Sequence, residues 1–289
     1  MIDRRKLILL SILFLFLSNL VIWQIIFYLN GDNSLEVTFF DVGQGDAIFI
    51  ETPYKNQILI DGGPNSMILE KLAKEMPFWD KTIDLIILTH PEADHMTGLL
   101  SVLESYNVKR ILWTGVVRNT SQYEKWKEMI EKENAEIIIA HSSQEIKIGK
   151  VSLDILYPFE SLQGEEIKDS NDTSIVSRLS FGNNSFLFTG DITKVSENKI
   201  MSKEDGNFGS DVLKVGHHGS KTSTSKEFLE NILPDIAVIS CDKDNYYGHP
   251  HEIVLKNLEE FGIKILRTDQ DGDIKIISSG EDFMVKTEL

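Results

Sequence analysis

Five of the seven histidines fall in three short segments: His90 and His95, His217 and His218, and His249. Each segment follows an apolar run that reads as a strand, where loops carry functional groups on a fixed scaffold. The densest is Thr89-His90-Pro91-Glu92-Ala93-Asp94-His95, in which His90, Glu92, Asp94 and His95 could all bind a metal. Asp94 and His95 stand just before a helix expected over 96–106, where a sharp turn can aim both side chains at one point. A solvated acidic turn would have the same composition. Against it, Gly190-Asp191 follows a second buried run and Gly216-His217-His218-Gly219-Ser220 follows a third, which argues for one shared site. Imidazole and carboxylate together suit zinc, manganese or iron. Two ions sharing a carboxylate could activate a water and clamp a phosphoryl oxygen.

Other groups could serve such a centre. Lys214, Lys221 and Lys226 form the best local basic patch, and Ser220, Thr222 and Ser223 could add hydrogen bonds to a phosphodiester backbone. An ordinary solvated loop accounts for them equally well. His249 could give a proton to a leaving oxygen or hold phosphate. His141 has no neighbouring ligand and reads as structural or exposed. Gly43-Gln44-Gly45 precedes a strand rather than a helix, so a tight turn beneath the site is expected instead of a phosphate loop. Trp79, Trp113 and Trp126 read as core or groove packing.

Short β-branched runs alternate with helical stretches and must position these residues. Strands are expected at 35–40, 46–51, 57–60, 83–89, 151–157, 174–181, 185–189, 211–215, 235–240 and 264–268. Ile83 to Thr89 is apolar almost throughout, as in a strand buried on both faces. Helices are expected at 96–106, 121–133, 225–232 and 251–261, with Gly182-Asn183-Asn184 linking a hairpin. No repeat, low-complexity tract or long linker divides residues 35–289. The expected class is α/β, with strands inside and helices outside.

Residues 1–34 are a different object. Arg4-Arg5-Lys6 precedes an uncharged run from Leu7 to Leu29, enough for about 35 Å of helix against a hydrocarbon core of about 30 Å. A cleaved signal peptide would have a shorter apolar stretch and a small-x-small site, and a buried core helix would have a polar face. An uncleaved anchor is therefore expected: a cytoplasmic stub, a transmembrane helix with Trp23 and Tyr28 toward its far end, and a short linker. The basic cluster should stay in the cytoplasm and place residues 35–289 outside it.

The full chain has 29 basic and 45 acidic residues and a net charge of −16. Since Arg4, Arg5 and Lys6 outnumber Asp3 and Asp32, the remainder carries −17. This excludes nucleic-acid binding through a broad basic surface and confines any such contact to a metal or a local basic patch. The single Cys241 cannot form an intrachain bridge.

Taken together, these motifs resemble the metallo-β-lactamase superfamily, and more narrowly the hydrolase domain of the competence DNA-uptake proteins of the ComEC type. The resemblance rests on Phe40 to Asp46, Leu59 to Gly63, Thr89 to His95, Phe188 to Asp191, Lys214 to Ser220, Tyr247 to His251 and Arg267 to Gly272, in that order. It implies a four-layer αβ/βα sandwich with one or two divalent ions, zinc or manganese with magnesium as a candidate, at the edge of the paired sheets. It also implies His90 at the first metal, Asp94 and His95 at the second, Asp191 bridging, and His217 or His218 completing the second. Asp61 would orient the loop as an outer-layer group, and Asn171 and Asp172 are expected in the same outer layer. The sequence departs from the superfamily's commonest pattern in two places. Glu92 stands where histidine is usual, and Asn171-Asp172-Thr173-Ser174 occupies the region where another histidine is expected. Fewer imidazoles weaken zinc relative to manganese or magnesium.

The expected function is a membrane-anchored, metal-dependent phosphodiesterase or nuclease acting on DNA or another phosphodiester, with Asp94 or another carboxylate orienting water. With one span expected, DNA transport by this chain alone is not. The alternatives are a lactone, β-lactam or other small-ester hydrolase on the same fold, and a non-catalytic metal-binding surface module. No protein partner can be inferred from the sequence.

Overall fold

A computed structural model describes residues 4–29, 34–203 and 208–288. The short linker expected at 30–33 and the first three residues of the stub lie outside the described residues. Contacts divide the chain into two units, Met1–Asn33 and Ser34–Leu289.

The first unit is the helix Arg4–Leu29. Its segment Arg4–Gln24 has a mean hydropathy of 2.2 and is long and apolar enough to cross a membrane by length and composition. Apolar residues cover every side of it, so it has no stripe by which to dock on a soluble core.

The second unit is built on an eight-stranded and a seven-stranded sheet. The first sheet runs Phe283–Thr287, Ile274–Ser278, Leu35–Phe39, Ile48–Glu51, Gln57–Ile60, Leu85–Leu88, Arg110–Trp113 and Glu136–Ile139. The second runs Lys264–Arg267, Ile236–Ile239, Val212–Lys214, Asn184–Phe188, Val176–Phe181, Val151–Tyr157 and Glu145–Ile148. Alternation along the strands decides which side chain goes to which layer. Ile58 and Ile60 face the other sheet while Leu59 between them faces helices. Across the inter-sheet core Phe39 meets Phe188 with ring centroids 6.2 Å apart. Helices Met67–Glu75, Ala93–Ser105 and Ser121–Lys132 supply or adjoin the core outside the first sheet, and Lys194–Met201, Lys226–Ile232 and Glu252–Glu260 that outside the second. The layers are helix, sheet, sheet, helix, and the fold class is the α/β sandwich expected.

Four strands in each sheet are parallel: 57–60, 85–88, 110–113 and 136–139 in one, and 184–188, 212–214, 236–239 and 264–267 in the other. Their carboxyl ends deliver Asp61, Thr89, Asp191 and the Gly216–Gly219 turn, the usual place for ligands in such sheets.

The structure changes several local expectations. The strand expected from Asp46 begins at Ile48, leaving Asp46 in the preceding loop. The helix after His90 begins at Ala93 instead of Met96, so Asp94 and His95 lie in its first turn. Helices 67–75 and 194–201 and strands 110–113, 136–139, 145–148, 274–278 and 283–287 were not anticipated. Trp113 and Trp126 are buried, but Trp79 is exposed and packs edge-on against Phe78 at 4.8 Å.

Candidate metal centre

Asp94, His95, Asp191 and His218 each place one ligand atom within 4.8 Å of the others. All four come from loops or first turns at strand ends. A close approach of two backbones brings two of the loops together. Gly62 donates to the His95 carbonyl at 2.8 Å and Gly98 to the Gly63 carbonyl at 2.9 Å. A Cβ at either Gly62 or Gly98 would collide with the opposing main chain.

Three imidazoles are pinned from outside through Nδ1. Asp61, fully buried, accepts from the Thr89 amide at 2.8 Å, the Thr89 hydroxyl at 2.7 Å and His95 Nδ1 at 2.8 Å. Because the Thr89 hydroxyl gives its proton to Asp61, it can only accept from His90 Nδ1, 3.0 Å away. His218 Nδ1 donates to the Ser240 carbonyl at 2.9 Å, with Asp46 Oδ1 3.4 Å away. The other ring nitrogen, Nε2, of His90, His95 and His218 is buried without a hydrogen-bond partner, as is Asp191 Oδ1. Buried polar atoms are seldom left unsatisfied. Nδ1 held by carboxylate or carbonyl while Nε2 faces inward is the arrangement metal-ligating histidines adopt. The residues present therefore fit one or two divalent ions.

Electrostatics agree. In the metal-free chain, burial would lower the His95 and His218 pKa values, but Asp191 with Asp61 and Asp46 respectively raises both well above the ordinary 6.5. Burial would raise Asp94 and Asp191, yet the same imidazoles hold both carboxyls below their usual range. His90, buried and facing the charged His95, falls to about 3. The centre balances acidic groups against displaceable protons, as a cation site requires.

The remaining expected ligands and outer-layer groups sit differently. His90 lies against His95, with ring centroids 4.2 Å apart, but outside the four-residue cluster. His217 is half-buried, with Nε2 3.9 Å from Asp191, and faces Asn171 at 3.4 Å. His218 occupies the cluster in its place. Glu92 is engaged by Arg118 at 2.6 Å and by the Ser170 hydroxyl, so its carboxylate braces the 167–170 segment. Asp172 accepts from Thr193 and Ser196 and steadies the start of helix 194–201 instead of the centre. Both histidines of Gly216–Gly219 have left-handed backbones, φ 48° and 54°.

The expected basic patch does not form. Lys214 has no exposed surface, and its Nζ pairs with Asp46 Oδ2 at 2.7 Å and donates to the Val215 carbonyl at 3.0 Å. A strand residue buried on both faces cannot reach a substrate, so Lys214 is corrected from substrate-binding to structural. Lys226 pairs with Glu260. Lys221 is exposed but does not line the cavity over the centre, and the Ser220 hydroxyl is buried against Thr222 at 2.9 Å.

That cavity has a volume of about 590 Å³. Asp94, Asp191 and His218 form part of its lining, and His249, Tyr247, Asn171 and Lys168 also line it. His249 is pushed down to about 4 by burial and by the charges of His218, His217 and His251, so it is a neutral imidazole at neutral pH. Sequence reasoning missed Asp46, Arg118, Lys168 and Tyr247. Asp46 and Tyr247 lay within the motif segments, whereas Arg118 and Lys168 carried no signal.

Fold and centre define the class. The chain belongs to the metallo-β-lactamase superfamily, whose sequence pattern matches residues 40–242. More particularly, it is 33% identical over 257 residues to ComE operon protein 3 of Bacillus subtilis (strain 168), covering 83% of this chain and 32% of that protein. It is 31% identical over 247 residues to competence protein ComA of Neisseria gonorrhoeae, covering 84% and 32% respectively. The chain thus spans about a third of the length of these relatives. Among solved structures, the metallo-beta-lactamase fold protein YhfI from Bacillus subtilis superposes with a TM-score of 0.57 at 13% identity, over 86% of this chain and 100% of that one, a likeness of fold. The protein has a metallo-β-lactamase hydrolase fold related to competence proteins, with a candidate di-metal site of Asp and His residues.

Proposed function

We propose that the chain is a membrane-anchored, metal-dependent phosphodiesterase acting on nucleic acid outside the cytoplasm. Residues 1–34 would be its stub, anchor and linker, and 35–289 its hydrolase domain. The observation that carries the reading is the cluster of Asp94, His95, Asp191 and His218, three of which line an open cavity, with the Nε2 atoms of His95, His218 and the neighbouring His90 buried and without a hydrogen-bond partner. The competence names of the relatives support a nucleic-acid substrate, and the helix 4–24 supports the anchor.

His90, His95, Asp94, Asp191 and His218 hold the ions, zinc or manganese with magnesium as a competitor. A divalent ion there supplies Lewis acidity toward a phosphoryl oxygen and lowers the pKa of a water. Asp94, the most exposed carboxylate of the cluster, orients the attacking water. His249 offers a neutral N–H to a phosphoryl oxygen, since its lowered pKa leaves it uncharged at neutral pH. Lys168 and Asn171 hold the flanking backbone. Arg4, Arg5 and Lys6 keep the amino terminus cytoplasmic.

The test uses the full chain in detergent with single-stranded DNA, a bis-aryl phosphate and a lactone, each under manganese, zinc and magnesium. Phosphodiester cleavage that Asp191→Ala abolishes is the expected result. No cleavage under any metal refutes it, and lactone turnover beside inert DNA transfers the site to ester hydrolysis. Fractionation should leave the intact chain in membranes; a shortened soluble product defeats the anchor.

A further inference from the structure

The loop between strand 236–239 and helix 252–260 bears two aromatic rings in solvent. Tyr246 is fully exposed and Tyr247 is 67% exposed. Their exposure is not a sign of a slack loop. Asn245 closes it on itself: its amide donates to the Asp242 carbonyl at 2.7 Å and the His249 carbonyl at 2.6 Å, and its carbonyl accepts from the His249 amide at 2.9 Å. Tyr247 lies nearly parallel to His249, with ring centroids 5.6 Å apart and 20° between planes, and it lines the metal cavity. His249 in turn is 6.3 Å from the His218 ring. A file of flat rings therefore leads from solvent to the ligand cluster. Its inner end lies at the proposed phosphate site, while its outer end presents an exposed, uncharged aromatic ring on a loop closed by Asn245.

We infer that Tyr247 is a stacking platform for a nucleobase flanking the scissile phosphate, which makes an unpaired nucleic-acid strand the substrate of this site. The inference rests on the phosphodiesterase reading and deepens it. An aromatic ring at the rim can take only a base freed from its neighbours, as in a single strand or at a frayed end. Such contacts accept any base, because every base has a π-face. They also suit a chain of net charge −16, because stacking needs no basic surface. Only Lys168 among the described lining residues of the cavity brings a lysine or arginine charge, so stacking supplies grip that charge does not.

The experiment compares two oligodeoxynucleotides identical except that one has abasic linkers on both sides of the cleaved phosphate. It uses the full chain in detergent, as wild type, Tyr247→Ala and Tyr247→Phe. With the ordinary strand, Tyr247→Ala should lower kcat/KM by about 5- to 150-fold, chiefly through KM, and Tyr247→Phe should retain wild-type values. With the abasic strand, all three should be equal. Equal loss on both strands overturns the inference, because the ring would then only support His249. No loss on either also overturns it, while leaving the phosphodiesterase reading intact. Wild type that cuts neither strand under any metal defeats both.

Discussion

Replacing Asp61 with asparagine exchanges one oxygen for an amino group in a side chain that touches no substrate. Its two carboxylate oxygens accept three protons, from the Thr89 amide, the Thr89 hydroxyl and His95 Nδ1. An asparagine has one carbonyl oxygen for these three. With that oxygen toward Thr89 Oγ1 and His95, the new amino group meets the Thr89 amide, donor against donor. With the amide reversed, the amino group faces His95 Nδ1 and drives that ring to the tautomer carrying its proton on Nε2, where the metal should be. The first orientation forces the Thr89 loop away from Asp61 and the second turns His95 to the wrong tautomer, so either way the support behind His95 is weakened. Outer-layer losses of this kind weaken metal binding by about 10- to 100-fold, or about 1.4 to 2.7 kcal/mol. Competition against a fluorescent chelator with manganese and zinc measures this directly, and metal analysis after dialysis gives the ions retained. Asp61→Asn binding within twofold of wild type would refute the argument that Nδ1 pinning prepares the site.

Three further outcomes are expected. Lys214→Met strands the buried Asp46 carboxylate, held near 2 by Lys214 and His218 against the effect of burial; urea unfolding should register a loss of about 3–5 kcal/mol, largely restored by Asp46→Leu in the same chain. A change under 1 kcal/mol would show the pair to be unimportant. The raised pKa values of His95 and His218 stabilise the metal-free fold below the unfolded value of 6.5, and that contribution fades as pH rises through their folded values. Metal must displace the same protons, so its affinity should rise over that range, with proton release seen as buffer-dependent titration heats; heats independent of the buffer would contradict this. Glu92→Gln should keep the full complement of ions, because Glu92 holds Arg118 and Ser170, whereas His90→Ala should lose an ion by metal analysis; an ion lost with Glu92→Gln would make it a ligand.

The layered α/β architecture and the segments that carry the candidate ligands were legible in the sequence because both depend on local order. Apolar runs ending in Asp61, Thr89, Asp191 or Gly216 announce strands that stop at a functional loop. The choice of His218 over His217 was not legible, since it depends on two consecutive left-handed residues turning the side chains apart. The Lys214–Asp46 pair was hidden for a different reason. The two lie 168 residues apart in sequence and meet only because opposite sheets bury them in contact. A lysine beside His217 looks like a phosphate ligand until its strand is known to have both faces covered. The bracing role of Glu92 was hidden in the same way, since its partner Arg118 comes from a loop after the next strand of the sheet. The strands 274–278 and 283–287 escaped because mixed polar residues on their open faces blur the alternation.

The backbone at His217 and His218 has one more consequence. Each left-handed residue with a Cβ holds the fold about 1–2 kcal/mol above what glycine would allow. Glycine or asparagine at either position would relax the turn, and at His218 it would also remove a candidate ligand. Mutational drift therefore has a downhill direction here, toward a sturdier protein with an emptied centre.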